Sequence, residues 1–139
     1  MSLQKLSDSQ NGALKRLETK LQVAAYNGNL KAAKDLIQDI KTLLRPHGYE
    51  TRLMQAKNWL YEASIEAGDY PLAIEGLKII KQKTNKNTRV HLEATALLAI
   101  AHLRSNAIDK AEPFVKEVLT NDKVIKSEKK RTEFRKSII

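Results

Sequence analysis

Cysteine is missing from this chain altogether. No disulfide framework can staple it, and no thiolate can ligate a metal or attack a substrate. A chain without cysteine also suits a reducing compartment, so the cytoplasm is the expected location. Proline (3) and glycine (5) are scarce, and aromatic residues make up only 5%. So few breakers among so many Ala, Leu, Ile, Lys and Glu argue against a turn-rich β fold and for helix. Long apolar runs are missing too. The longest, residues 94–101 with Thr95 inside it, is far too short to span a bilayer, so no membrane partner is expected. Residues 1–11 hold no apolar run of the kind a secretory signal carries.

What the chain has is a repeat. Its 139 residues suffice for one domain, residues 1–139, with a core of its own. Three segments align: Asn27-Gly28-Asn29-Leu30-Lys31-Ala32-Ala33, Ala67-Gly68-Asp69-Tyr70-Pro71-Leu72-Ala73 and Ser105-Asn106-Ala107-Ile108-Asp109-Lys110-Ala111. Gly28 and Gly68 lie 40 positions apart, and Gly68 and Asn106 lie 38 apart. Spacing of this order marks a helical array. Gly28, Gly68 and Asn106 suit a helix stop, where the backbone turns left-handed. Asn29, Asp69 and Asp109 offer a cap to the next helix, Asp109 with Glu112 as a capping box. Leu30, Tyr70 and Ile108 are expected to plug each turn. Ala33, Ala73 and Ala111 are expected to let two helices approach closely.

Around these turns apolar residues recur at three and four positions, the period of an amphipathic helix. The spacing predicts helices over residues 8–27, 30–44, 50–67, 71–84, 88–105 and 109–120, and a seventh over 123–138. The repeat units are then 8–45, 50–87 and 88–122, followed by a C-terminal helix over 123–139. That last helix reads as a polar cap, or as a junction to more protein, since the chain stops on Ile138-Ile139.

The pattern resembles the tetratricopeptide repeat over roughly residues 14–121. Leu98-Ala99, Ala111 and Val115 stand where that motif wants Leu, a small residue, Ala and a large apolar residue. Leu60, Gly68, Asp69, Tyr70, Ala73 and Leu77 match in the second unit, and Gly28, Ala33 and Ile37 in the first. Three positions depart: Tyr61 replaces a small residue, Trp59 sits two places late, and Lys20 stands where Leu belongs. The units also exceed the motif's period of about 34 residues. The resemblance implies an all-α, right-handed superhelical stack of antiparallel pairs. It further implies a concave groove lined by the first helix of each pair. That groove would hold Lys15, Glu18 and Gln22, then Gln55, Asn58 and Glu62, then Glu93, Ala96 and Ile100. The Lys-x-x-x-Asn clamp by which some relatives hold a C-terminal carboxylate is absent from the first helix.

Catalytic signatures are sparse. His47, His91 and His102 have no second histidine at ligand spacing, and no phosphate-cradling glycine loop or nucleophile elbow occurs. Asp35 and Asp39 are one turn apart beside Lys31 and Lys34, which reads as surface ion pairing. Trp59 shares its spacing with Ala56, Leu60 and Ala63, which reads as core, whereas Tyr61 could also face outward. No catalytic residue, metal or cofactor is therefore expected. The net charge of +9 is uneven: residues 123–136 hold seven basic residues against two acidic ones. The sequence thus favours a non-catalytic scaffold that binds a protein or peptide through Gln22, Gln55, Asn58, Glu62, Glu93 and Ile100. The second reading is a nucleic-acid-associated regulator. Its phosphate contacts would be Lys126, Lys129, Lys130, Arg131 and Arg135, with weak and nonspecific binding expected.

Overall fold

A computed structural model of the chain describes residues 5–120. The seventh helix and all five candidate phosphate contacts lie outside the described residues. Within them the chain forms six α-helices and no strand: α1 (Asp8–Asn27), α2 (Leu30–Leu44), α3 (Glu50–Glu66), α4 (Tyr70–Lys83), α5 (Arg89–Arg104) and α6 (Ile108–Thr120). A short 3-10 turn, Arg45–His47, follows α2 and carries Pro46.

The turns form where the sequence places them. Gly28, Gly68 and Asn106 all adopt positive φ, at 66°, 86° and 63°. The side chain of Asn29 accepts from the Ala32 amide at 3.2 Å, and that of Asp69 from the Leu72 amide at 3.3 Å. Thr88 caps α5 in the same way, through the His91 amide at 3.3 Å. Ser7 and Gln10 close a reciprocal capping box at the start of α1. The third turn differs from expectation. Because α6 already begins at Ile108, Asp109 falls inside its first turn and is no N-cap. There a carboxylate still favours the positive end of the helix. Ile108 does not plug its turn either, for it is 66% exposed, whereas Leu30 packs on a core.

Contacts divide the chain into two compact units at Gly68. In the first unit α2 and α3 both pack on α1, and α3 also packs on α2. Its core gathers Leu14, Leu21, Ala24 and Ala25 of α1 with Ala33, Ile37, Ile40 and Leu44 of α2 and Ala56 and Ala63 of α3. Burying each Leu or Ile contributes about 1.5–3 kcal/mol. Trp59 is half-buried against this core, as its spacing predicts. Gly28 sits so close to Glu66 that an added Cβ would lie 3.2 Å from its backbone carbon. This approach fixes the first turn against the end of α3.

In the second unit α4 and α6 each pack on α5. That position explains the composition of α5, which is apolar on nearly every side and buries residues from Val90 to His102. Ala99 is fully buried and Ala96 nearly so, and Val118, Phe114 and Val115 of α6 pack against them. Pro113 lies inside α6 and leaves the Asp109 carbonyl without its helical donor. Ala33, Ala73 and Ala111 are all buried, as their place in the repeat predicts.

Candidate functional site

The predicted groove residues fall into both units. In the first unit Gln22 is exposed on α1, and Gln55 and Glu62 are half-buried on α3. Asn58 is 1% exposed, which corrects its reading as an open groove residue. It stands one position before Trp59, inside the apolar arc of α3. Glu18 belongs to the same surface but is already engaged. Arg52 of α3 grips it with two parallel bonds, Nε to Oε2 at 2.9 Å and Nη2 to Oε1 at 2.8 Å. This bidentate pair cross-links α1 to α3 with fixed geometry. In the second unit Glu93 is held by Arg89 one turn earlier at 3.1 Å, and Ile100 is half-buried.

Beside Gln22 the α1 surface carries Val23 at 56% exposure and Tyr26 at 85%. The two are three positions apart and so share one face. At the corner between α2 and α3, Lys41, Leu44, Arg45, Tyr49, Glu50 and Leu53 border a shallow cavity of about 280 Å³. It is open to one side and mixes two cations with one carboxylate.

The densest polar arrangement was not foreseen from the sequence. In the second unit Lys81 of α4, His91 and Thr95 of α5 and Glu117 of α6 converge. Lys81 donates to Thr95 Oγ1 at 3.0 Å and forms an ion pair with Glu117 Oε2. The Thr95 hydroxyl donates to the His91 carbonyl at 2.8 Å, with Glu117 Oε2 at 3.1 Å. His91 Nε2 lies 3.5 Å from the same carboxylate oxygen. The other ring nitrogen, Nδ1, lies 3.0 Å from Thr84 Oγ1 and 3.2 Å from the Thr84 carbonyl. Thr84 Oγ1 gives its own hydrogen to the Ile80 carbonyl at 2.7 Å. Both atoms facing Nδ1 are thus acceptors, so Nδ1 carries a hydrogen.

Electrostatics in this cluster follow from the contacts. Burial pushes the Glu117 carboxyl up, but the Lys81 ammonium, the Thr95 hydroxyl and the charge of His91 outweigh it. The carboxyl is held below its ordinary range and stays ionised. Lys81 Nζ also stands 5.5 Å from the centre of the Phe114 ring, a cation–π distance. Phe114 in turn stacks on His102, with ring centres 5.7 Å apart and planes 2° from parallel. Burial, then the ammonium groups of Lys110 and Lys78, push His102 below its ordinary pKa. The cluster ties α4, α5 and α6 together. Thr95 is 0% exposed, so no substrate reaches its hydroxyl, and its neighbours hold one another across three helices.

Its signals in the sequence were faint. Thr95 is the one polar residue in the longest apolar run, and His91 precedes it by one turn. Lys81 follows Ile79-Ile80 on α4, and Glu117 precedes Val118-Leu119 on α6. Nothing in the spacing alone, however, brings positions 81, 95 and 117 together. Among the described residues no three His, Cys, Asp or Glu side chains converge as a metal ion would need. No helix among them is long and apolar enough to cross a membrane. No known protein family, curated protein or solved structure matches the chain.

Proposed function

We propose that the chain is a helical-repeat adaptor, a right-handed stack of antiparallel helix pairs that holds a protein or peptide partner on its surface. The observation that carries this reading is the recurrence of one turn three times over. Each turn has a left-handed residue at its centre, at Gly28, Gly68 and Asn106. Each is followed by a helix whose fourth residue is a buried alanine, Ala33, Ala73 or Ala111. A chain that spends its length repeating one hairpin builds extended surface, and such surfaces are used for binding. The side chains offered to the partner are Gln22, Val23 and Tyr26 of α1, with Gln55 and Glu62 of α3. The tyrosine supplies area at low entropic cost, and the amides and carboxylate supply orientation.

Photo-crosslinking in the full chain tests the reading. A photoreactive residue at Gln22 is expected to give a discrete adduct, which Tyr26→Asp abolishes. The same residue at Asp35, exposed on α2, should give none. Identical adducts from both positions, or an adduct indifferent to Tyr26→Asp, would count against the proposed surface.

A further inference from the structure

The cavity of about 280 Å³ at the corner between α2 and α3 joins apolar walls to unmatched charge. Leu44 and Leu53 supply the apolar side, with Tyr49 at 36% exposure beside them. Lys41, in the last turn of α2, and Arg45, its C-cap, both border the cavity. Arg45 keeps helical φ and ψ, at −47° and −48°, so the two cations stand one turn apart on one flank. Like charges at that spacing repel. The carbonyl end of α2 favours cations, which accounts for their presence, but its partial charge does not balance two of them. Among the described residues neither Lys41 nor Arg45 forms an ion pair, although Glu50 borders the same cavity. Lys41 is half-buried as well. Taking part of a charge out of water costs free energy that a partner would offset.

We propose that this corner is a binding site for an organic monoanion, one carboxylate carried on a single compact apolar ring or side chain. The border decides the charge. Two cations against one carboxylate leave one positive charge, which a monoanion balances and a dianion such as phosphate exceeds. The walls decide the body. Leu44, Leu53 and Tyr49 gain from apolar surface laid on them and offer a hydrated phosphate nothing. Volume sets the upper limit. Ligand pockets run upward from roughly 300 Å³, so this one has room for one ring and none for a nucleotide or a lipid. The site uses none of Gln22, Val23, Tyr26, Gln55 and Glu62, so it stands apart from the surface proposed for the adaptor.

The test follows backbone amide chemical shifts of the full chain during titration with three ligands: phenylacetate, its uncharged isostere phenylacetamide, and inorganic phosphate. Phenylacetate is expected to shift the amides of residues 41–53 saturably, and the other two to shift them little at the same concentration. Lys41→Met and Arg45→Met should each weaken phenylacetate binding about threefold to fivefold, the scale of one partly exposed ion pair. Lys20→Met, which removes an exposed charge from α1, should leave it unchanged. The same spectra report whether each variant keeps its fold. An aspartyl-phenylalanine dipeptide with both ends blocked identifies the source of the anion. Tighter binding than phenylacetate assigns the site to an acidic side chain of a peptide, and weaker binding to a free acid. Shifts that never saturate, or that spread over α1 and α4 to α6, would overturn the proposal. So would phosphate or phenylacetamide matching phenylacetate, or Lys20→Met weakening it as much as Lys41→Met. A failed partner cross-link at Gln22 leaves this result untouched, so the two readings fail separately.

Discussion

Burial, with Lys110 and Lys78 nearby, pushes the His102 imidazole below its ordinary pKa. The unfolded chain restores an ordinary imidazole near 6.5 and so binds a proton that the folded ring resists. The contribution of His102 is therefore whole above about pH 6.5 and is lost progressively as pH falls from there toward the folded value. His102→Gln should flatten that part of the pH–stability curve. The check is the melting temperature of both proteins at about pH 7.5 and about pH 5.5, on either side of the ordinary value. A parent and variant with parallel curves would show that the ring is not held neutral. Glu117 acts in a lower window and with the opposite chemistry. Its carboxyl is held below the ordinary range, so its contribution is present above that range and is lost as pH falls through the folded pKa. The His102 window opens near the ordinary imidazole value and the Glu117 window lower, at the ordinary carboxylate range, so a titration meets His102 first as pH falls.

The same cluster sets a mutational prediction. Glu117→Ala removes the carboxylate from Lys81, Thr95 and His91 together and should cost about 1–3 kcal/mol, the usual penalty for stranding partly buried donors. Lys81→Met alone should cost a comparable amount. Lys81→Met with Glu117→Leu strands neither charge, so the double variant should lose less than the two single losses combined. Urea denaturation midpoints measure all three. Strict additivity would mean that Lys81 and Glu117 do not depend on each other.

At the scale of elements, the two tight features are glycine and alanine. Gly28 combines a φ of 66° with the backbone of Glu66 at 3.2 Å from any Cβ placed there. Gly28→Ala should cost about 1–2 kcal/mol from left-handed strain alone, and more where the end of α3 cannot give way. Asn106 has nearly the same φ, and Asn106→Gly should be close to neutral because glycine adopts that backbone freely. Ala33→Leu and Ala111→Leu overpack buried contacts and should cost roughly 1–3 kcal/mol each. Thermal melts of the four variants give the ranking. An unchanged melting temperature for Ala33→Leu would show room where the fold leaves none.

Much of this scale was legible beforehand. The six helix spans read from spacing within the described residues agree with the structure to within one residue at every end. The signals were local: Asn29, Asp69 and Thr88 cap through their own side chains, and Gly28 and Gly68 need only a left-handed φ. Where prediction slipped, the cause was not local. Asp109 looked like a cap, yet α6 starts one residue earlier and absorbs it. Asn58 looked like a groove residue on family spacing, yet the arc around Trp59 that buries it is broader than the repeat motif implies. The cluster of Lys81, His91, Thr95 and Glu117 joins positions as many as 36 apart, and pairwise spacing along a helix cannot report that.

At the scale of the whole molecule the deciding quantity is where the charge lies. The chain carries +9, and residues 123–136 alone hold seven cations against two acids. The surface proposed for a partner is by contrast mixed: Gln22, Val23, Tyr26, Gln55 and Glu62. If phosphates are bound, Lys126, Lys129, Lys130, Arg131 and Arg135 are the contacts, and each releases counterions. Affinity should then fall by roughly 0.7 to 0.9 powers of salt for each contact. A partner held by Tyr26 and Gln55 should show mild salt sensitivity instead, because apolar area and neutral amides carry it. The measurement is a titration of the full chain with duplex DNA and structured RNA at low and near-physiological salt. It is repeated with the five basic residues changed to Ala, and again with Gln55→Ala and Glu62→Ala together. The adaptor reading expects weak binding to both nucleic acids, with a steep salt slope that the five-residue variant removes and the α3 variant leaves intact. Tight, sequence-selective binding near physiological salt would reverse the order of the two readings. It would make the basic segment the working surface and the helix pairs its support.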